Sequence, residues 1–325
     1  MTTIQLGQLE RNQELKNWLE KINNPEYALD ISTLQVASSD ASFRSYFRIH
    51  SQNKSYIVMD APPQHEDCTP FVNITKIFES SINVPHIFEQ NLAQGFLLLT
   101  DFGDTTLFKS IKQNNDIIST TEYIDICNIL IDLQLDSKPN IIPNYDEAKL
   151  KQEIYLFNDW YAPKHCNKPL NDEQKNNLES IYQKIVKNNL AQAQVYVHRD
   201  YHSRNIMKTN DNKFGIIDFQ DALYGAITYD LVSLLKDAYI ELNSQQHDEI
   251  LAKYWENAKA KGLNVKSFEE FTTDYELMGL QRHLKVLGIF ARLYHRDGKS
   301  SYLNDILWYL SILLLWQINT RNLSI

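Results

Sequence analysis

The sequence predicts an α+β protein of two lobes, in which a mainly antiparallel sheet with helices precedes a mostly helical lobe. Between residues 28 and 60, three short runs suited to strands are separated by turn residues, as in antiparallel sheets. From Leu107 to Lys187, apolar residues recur at helical spacing. Between these regions, the apolar run that ends in Thr100-Asp101-Phe102-Gly103 indicates a hinge near residue 101. We therefore expect one lobe at 1–101 and the other at 102–325.

The N-terminal lobe should begin with an amphipathic helix from about residue 8 to 22. Leu9, Leu15, Trp18, Leu19 and Ile22 are spaced to form one face that can pack on the following strands. The predicted elements that follow are the strands ALDISTLQVA, FRSYFRIH and SYIVMDAPP, the helix PFVNITKIFESSI, and the strands HIFEQ and FLLLT.

Helices dominate the predicted C-terminal lobe, with interruptions at Lys138-Pro139 and around Pro163 to Pro169. The aromatic residues of YLFNDWYAP are expected to pack this lobe. A long helix should run from about Phe268 to Leu293, and Ile306 to Ile318 should form a buried helix that is too short to span a bilayer.

Composition excludes several classes of protein. The net charge of −9, from 41 acidic and 32 basic residues, argues against a nucleic-acid-binding surface. Cys68, Cys127 and Cys166 are far apart, which indicates neither a disulfide framework nor a zinc site. The N-terminus has no apolar core of the signal-peptide type. We expect a cytoplasmic monomer with neither a membrane nor a nucleic-acid partner.

The motif His198-x-Asp200-x-x-x-x-Asn205, followed by Ile216-Ile217-Asp218-Phe219, is typical of a phosphotransferase centre that uses ATP. Phosphoryl transfer needs an oriented hydroxyl, a held Mg²⁺ and neutralised charge. Asp200 would accept the proton of the attacking hydroxyl. Asn205 and Asp218 would offer oxygen ligands to Mg²⁺. Two short strands joined by a turn should bring Asp218 back beside Asn205.

Simpler interpretations exist for single members of this set. An aspartate before an apolar strand is usually a turn or cap residue, whereas the complete set is far more specific. His198 and His202 are expected to be packed residues and not bases. Asp230 either stabilises the N-terminus of a helix or supports the catalytic loop from beneath.

A serine-rich loop and the hinge predict the nucleotide site. The loop from Ser38 to Arg44 contains no glycine, but its hydroxyl and N–H groups could approach phosphates, with charge from Arg44 or Arg48; a plain hairpin turn is the alternative. Backbone groups at the hinge could bind adenine, unless it is an ordinary strand and loop. The predicted contacts are Ser42, Phe43, Arg44, Met59, Thr100, Asp101 and Phe102.

The long helix near the C-terminus carries a polar stripe of Gln281, Lys285, Gly288 and Arg292. Two cations beside a glycine suit recognition of an acidic substrate, with the glycine leaving room for a ring to approach. We predict substrate contacts at Gln281, Lys285 and Arg292, and the alternative is a solvated helix face.

Six stretches resemble one branch of the aminoglycoside-phosphotransferase superfamily, the kinases that phosphorylate N-acetylmuramate and N-acetylglucosamine on the anomeric hydroxyl. They are SSDASFRSYFR, YIVMDAPPQHEDCTPF, QGFLLLTDFGD, VHRDYHSRNIM, IIDFQDALYGAITYDLVSLLKDAY and QRHLKVLGIFARLYHRDGKSSYL. The resemblance implies a bilobal fold of the protein-kinase type and Met59 where protein kinases carry a lysine. It also implies ATP- and Mg²⁺-dependent formation of a sugar 1-phosphate during peptidoglycan recycling.

Two other functions stay open. The chain could be another small-molecule kinase of the superfamily, acting on an aminoglycoside, a choline-like compound or an amino alcohol. It could also be a nucleotide-binding scaffold without activity. The missing lysine supports the scaffold, whereas the joint presence of Asp200, Asn205 and Asp218 argues against it.

Overall fold

A computed structural model of the chain describes residues 3–39, 43–52, 54–209, 211 and 213–300. In chain order its elements are α1 (Thr3–Ile22), β1 (Asp30–Ser39), β2 (Ser45–His50), β3 (Ser55–Asp60), α2 (Thr69–Phe78), β4 (Ile87–Asn91), β5 (Phe96–Thr100), α3 (Leu107–Gln113), α4 (Thr120–Leu135), α5 (Glu147–Ile154), a π-helical segment (Phe157–His165), α6 (Asp172–Ala191), β6 (Gln194–Val197), β7 (Ile206–Lys208), β8 (Phe214–Ile216), β9 (Leu223–Ala226), α7 (Tyr229–Leu235), α8 (Ser244–Ala260) and α9 (Phe268–Asp297).

The chain divides into two compact units. Unit 1 contains residues 1–105 and 207–221, and unit 2 contains residues 106–206 and 222–325. The chain therefore returns to unit 1 for a short stretch before it completes unit 2. The α+β prediction is confirmed, because the antiparallel sheet belongs to the N-terminal part and helices dominate after Leu107. The lobe boundary near residue 101 stays a prediction.

Unit 1 is built on a five-stranded sheet in the order β1-β2-β3-β5-β4, with antiparallel neighbours. Leu15, Trp18 and Leu19 of α1 join Tyr56 and Val58 of β3 in one buried cluster. The predicted packing of the leading helix on the strands is confirmed, although α1 begins earlier, at Thr3. Since side chains alternate along a strand, Met59 lies on the opposite face of the sheet.

The stretch that returns to unit 1 completes its core. Phe219 packs against Phe71 and Phe78 of α2, with ring centroids 5.0 and 6.0 Å apart. The N–H of Ile216 donates to the carbonyl of Asn83 at 2.8 Å, and the Asn83 amide donates to the carbonyl of Phe214 at 3.1 Å. Unit 1 thus depends on residues far along the chain.

In unit 2, α9 is the longest helix of the part that the structure describes. It begins with a capping box between Ser267 and Glu270. Its Leu287 and Ala291 are buried with Tyr161 of the π-helical segment, and Phe157 and Trp160 pack against the same cluster. The aromatic residues before the proline-rich break therefore pack this unit, as predicted.

Over the described ranges, every helix is too short or too polar to cross a membrane. The predicted buried helix at 306–318 lies outside the described residues.

Candidate active site

The loop after β6 brings Asp200 and Asn205 together within unit 2. The N–H of His202 donates to the Asp200 carbonyl at 3.1 Å, and the N–H of Asn205 donates to the His202 carbonyl at 2.9 Å. The Asn205 side-chain Nδ2 also donates to the Asp200 carbonyl, at 3.0 Å. These bonds fold the loop on itself and orient the Asn205 amide, whose oxygen is the type of atom that Mg²⁺ takes.

Asp230 holds the first part of this loop from beneath. Its carboxylate accepts the N–H of His198 at 2.6 Å and the N–H of Arg199 at 3.0 Å. Arg199 has a φ of 78°, a left-handed conformation that a non-glycine residue adopts at a cost. The supporting role is thus the better of the two interpretations of Asp230, since one side chain stabilises the strained turn before Asp200.

Asp237 holds the second part of the loop. Its carboxylate accepts the N–H of Ser203 at 2.9 Å and the N–H of Tyr239 at 3.0 Å. Only its place just after α7 hints at this role, because the partner lies 34 positions earlier in the sequence. His198 itself is fully buried, as predicted, and its Nδ1 accepts the N–H of Asp200 at 3.2 Å.

The surroundings of Asp200 are strongly positive. Burial alone would raise the pKa of its carboxyl group, but the charges of Lys285, His202 and Arg282 outweigh burial and hold the pKa below its usual value. The carboxylate is therefore ionised at neutral pH and able to accept a hydrogen bond from a hydroxyl.

Glu153 of α5 links Arg199 to α9. It accepts a hydrogen bond from Arg199 at 2.6 Å, forms an ion pair with Lys285 at 3.2 Å, and accepts the Tyr145 hydroxyl. Lys285 also donates to the Tyr229 hydroxyl at 2.8 Å. The sequence signal for Glu153 was its place three residues after the buried Leu150, which puts a charge on the apolar face of a helix.

The polar stripe of α9 lies largely inside unit 2. Gln281 is fully buried and donates to the Leu150 carbonyl at 2.9 Å, Lys285 is buried in the Glu153 network, and Arg292 is half-buried. A solvated helix face is therefore wrong for the first two. Gly288 leaves no room for a sugar, because a Cβ there would lie 2.4 Å from the backbone carbon of Leu156. Substrate contact by Gln281, Lys285 and Arg292 stays a prediction.

Asp218 belongs to unit 1, just after β8. Its backbone is also left-handed, with a φ of 67°, and its Oδ1 accepts a hydrogen bond from Gln220 at 2.7 Å. The next residue, Phe219, is fixed in the core. The carboxylate is thus held by both its backbone and a neighbour, while its approach to Asn205 stays a prediction.

The predicted phosphate-binding loop is described at its two ends: Ser38 and Ser39 belong to β1, Phe43 and Arg44 follow the gap, and Ser42 lies outside the described residues. Phe43 is exposed and stacks on His65, with centroids 4.8 Å apart. Arg44 pairs with Glu66 at 2.5 Å. Arg48 pairs with two other carboxylates, those of Asp101 and Asp104, at 2.6 and 2.7 Å.

The predicted adenine-binding residues all belong to unit 1. Met59 is fully buried and lies opposite Leu97 of β5, and Thr100 ends that strand. Burial would raise the pKa of Asp101, but hydrogen bonds from Arg48 and Ser55 hold it below its usual value.

Phe102 packs against β8. A Cβ at Gly215 would lie 2.5 Å from its ring, so only glycine fits this contact.

No cluster of three His, Cys, Asp or Glu side chains that could hold a metal occurs within the described residues. Mg²⁺ usually takes one or two protein oxygens together with substrate phosphates. The Asn205 amide and the Asp218 carboxylate each offer an oxygen of this type, and their binding of one ion stays a prediction.

Known proteins match this chain over most of its length. The model of the phosphotransferase enzyme family matches residues 33–263. The N-acetylmuramate/N-acetylglucosamine kinase of Pseudomonas aeruginosa is 43% identical over 304 residues, or 91% of this chain and 89% of the relative. The kinase of the same name from Neisseria meningitidis is 39% identical over 308 residues, or 94% of this chain and 90% of the relative.

Among solved structures, an ethanolamine kinase of Plasmodium vivax matches with a TM-score of 0.64 at 11% identity, covering 93% of this chain and 87% of that one. At this identity the likeness shows the fold alone, whereas the family model and the relatives extend over most of the sequence. The chain therefore belongs to the phosphotransferase enzyme family.

Proposed function

We propose that this protein transfers the γ-phosphoryl group of ATP to the anomeric hydroxyl of N-acetylmuramate and N-acetylglucosamine. The observation that carries the proposal is the similarity of 91% of the chain to a kinase named for these two sugars. The sugar 1-phosphate would serve peptidoglycan recycling and nucleotide-sugar synthesis in the cytoplasm.

The reaction assigns one role to each group of the catalytic loop. The anomeric oxygen attacks the γ-phosphorus, the bond from that phosphorus to the β–γ bridging oxygen breaks, and ADP leaves. The hydroxyl proton passes to Asp200, which positions the nucleophile. The low pKa of Asp200 supports this role, because the carboxylate is already ionised when the sugar binds.

Asn205 and Asp218 would hold Mg²⁺. When bound, the ion neutralises the charge of the phosphates during transfer. Two observations support this assignment, the orientation of the Asn205 amide by the Asp200 carbonyl and the left-handed backbone of Asp218. Strained backbone of this kind is concentrated at functional sites.

The nucleotide would be bound by the end of the serine-rich loop and by the hinge. Ser42, Phe43 and Arg44 would approach the phosphates. Met59 would line the adenine pocket, and backbone groups of Thr100, Asp101 and Phe102 would bind the base. Binding of ATP by Arg44 requires the guanidinium to exchange or share its partner Glu66.

Gln281, Lys285 and Arg292 are proposed to act on the acceptor. Lys285 is already paired with Glu153, so we assign it an indirect role, in which its charge lowers the pKa of Asp200.

A substrate panel tests the proposal. Purified protein is incubated with ATP, Mg²⁺ and one acceptor at a time: either amino sugar, an aminoglycoside, choline or ethanolamine. ADP release gives the rate, and ³¹P NMR of the product identifies the phosphorylated oxygen. We expect both amino sugars to be phosphorylated at C1, with an inactive Asp200→Asn protein as the control for contaminating kinases. Turnover of the aminoglycoside or the amino alcohols alone would refute the assignment.

A further inference from the structure

Unit 2 contains a cleft of about 500 Å³ beside the catalytic loop, which is large enough for a monosaccharide. Its lining includes two aromatic rings and four charged side chains: Phe108, Lys112, Asp116, Arg204, Tyr239 and Glu241. The two rings meet edge to face, with centroids 6.2 Å apart. Aromatic walls with a few charged groups are typical of small-molecule sites.

Both walls of this cleft are bonded to the catalytic loop. On one side, the N–H of Phe108 donates to the Ser203 carbonyl at 2.9 Å. On the other, Asp237 accepts the N–H groups of both Ser203 and Tyr239. Arg204 follows Ser203 directly and precedes Asn205, which in turn bonds to the Asp200 carbonyl. A ligand of the cleft therefore lies against the loop that carries Asp200.

Arg204 differs from the other arginines of this loop and of the sheet. Its guanidinium lies 3.6 Å from the centroid of the Tyr239 ring and 5.0 Å from that of Phe108. It forms no ion pair within the part of the chain that the structure describes, whereas Arg48 and Arg199 are bound to carboxylates. Stacking fixes the plane of a guanidinium and leaves the N–H donors at its edge for a planar anion.

We propose that this cleft receives the acceptor sugar and that Arg204 binds its carboxylate, which makes Arg204 a determinant of selectivity for N-acetylmuramate over N-acetylglucosamine. The inference rests on the proposed function and adds a residue to it. The two sugars differ by a lactyl carboxylate, and a guanidinium binds a carboxylate through two parallel hydrogen bonds.

The charges around Arg204 are consistent with a single anionic ligand. Asp116 is paired with Lys112 at 2.7 Å, so it does not repel a carboxylate strongly. Glu241 is exposed at the rim. The main alternative cation, Lys285, is buried and already paired with Glu153, so it has less capacity for a new anion.

Steady-state kinetics with both sugars test the inference. The proteins are the wild type, Arg204→Gln, Arg204→Lys and, as a matched control, Arg296→Gln, which removes an exposed arginine that is paired with its neighbour Asp297. We expect the ratio of kcat/KM for N-acetylmuramate to that for N-acetylglucosamine to fall about tenfold or more in Arg204→Gln. The fall should come from KM, be smaller in Arg204→Lys and be absent from the control. If Arg204→Gln acted instead by disturbing the adjacent Asn205, kcat/KM would fall equally for both sugars and their ratio would not change.

Two kinetic outcomes would overturn the inference. An unchanged ratio in an Arg204→Gln protein with normal circular dichroism and melting would remove Arg204 from sugar recognition. A raised KM for ATP with equal losses on both sugars would assign the cleft to the nucleotide.

Titration of each sugar without ATP, followed by NMR, separates this inference from the proposed function. If the wild type phosphorylates neither sugar, the proposed function fails. Weaker binding of N-acetylmuramate by Arg204→Gln than by the wild type would then still support a sugar site in the cleft. Equal affinities of the two proteins for N-acetylmuramate would overturn it.

Discussion

Two residues of the candidate site, Arg199 and Asp218, have backbones in the left-handed region. Non-glycine residues reach this region at a cost of about 1–3 kcal/mol, which the surrounding structure must offset. In both cases the contacts that do so are present: Asp230 accepts the Arg199 N–H, and Gln220 and the buried Phe219 hold Asp218. The left-handed conformations of Arg199 and Asp218 set the course of the backbone at Asp200 and Asp218.

Replacement of Asp200 tests the chemistry directly. Asp200→Asn keeps the shape of the side chain but cannot accept the hydroxyl proton, so turnover should fall by roughly two orders of magnitude or more. ATP binding should survive, because Asp200 is assigned to the acceptor. Asp172→Asn, at a side chain that is 99% exposed, is the control. Near-normal turnover in folded Asp200→Asn would exclude it as the base.

The metal assignment predicts unequal effects at two positions. Asp218→Ala removes a charged oxygen ligand and should abolish turnover at any Mg²⁺ concentration. Asn205→Ala removes a neutral ligand and should raise the Mg²⁺ concentration needed for half-maximal activity. Titration of activity with Mg²⁺ measures both effects. Full activity of Asp218→Ala at ordinary Mg²⁺ would contradict the assignment.

Asp230 predicts a dependence of stability on pH. Burial raises the pKa of this carboxyl group to about 7 in the folded protein, against about 3.9 in an unfolded chain. Since the folded state keeps the proton longer, the stabilising contribution is complete below about pH 4 and is lost as the pH rises to about 7.

Urea unfolding of the wild type and Asp230→Asn between pH 4.5 and 8 measures this contribution. The free energy of unfolding of the wild type minus that of the variant should fall by up to about 1.4 kcal/mol per pH unit and level off above pH 7. A difference that does not change with pH would show that Asp230 stays ionised throughout.

At the scale of the elements, α9 approaches the backbone of a neighbouring segment closely at Gly288. Gly288 faces the backbone of Leu156, and an added Cβ would lie 2.4 Å from its carbonyl carbon. Gly279 lies on the same helix, but the atoms nearest to a Cβ there would belong to the Lys236 side chain, the first at 3.0 Å. The two positions therefore share helix propensity and differ in the space available.

This pair gives a matched prediction. Gly288→Ala should lower the free energy of unfolding by about 1–3 kcal/mol, because the rigid backbone of Leu156 cannot move aside. Gly279→Ala should be neutral or stabilising by up to about 1 kcal/mol, since alanine favours helix. Urea denaturation compares them, and equal effects would mean that α9 can shift away from Leu156.

The helices and strands could be predicted from the sequence better than the side-chain contacts between them. Alternation in β1 to β3 and the helical spacing in α1 and α9 are local patterns, so these elements and the packing of α1 were foreseeable. The catalytic motif is also local. The roles of Glu153, Asp230 and Asp237 depend on partners 46, 31 and 34 positions away, which no local pattern reveals. Gly288 shows the same limit, because the spacing of the polar residues on α9 gives no sign that Leu156 packs against this glycine.

At the scale of the whole molecule, unit 1 is discontinuous in sequence. Residues 207–221 supply Phe219 to its core and two hydrogen bonds to Asn83. A fragment that ends at Thr105 would expose Phe71 and Phe78, so it lacks part of the apolar surface that stabilises the unit.

Two fragments test this dependence. Residues 1–105 alone should unfold without a cooperative transition, whereas residues 1–105 joined by a flexible linker to residues 206–221 should unfold cooperatively in urea. Replacing Phe219 by alanine in the linked fragment should cost about 3–5 kcal/mol and reverse the gain. Cooperative unfolding of the shorter fragment would show that the returning stretch is dispensable.

The late arrival of Phe219 also bears on how the protein is made. Domains usually fold during synthesis as soon as their residues leave the ribosome. Here the sheet of unit 1 emerges first, but its apolar face at α2 cannot be covered until residue 221 has emerged. A nascent chain stalled before that point would carry an unfinished N-terminal core, the kind of surface that chaperones bind.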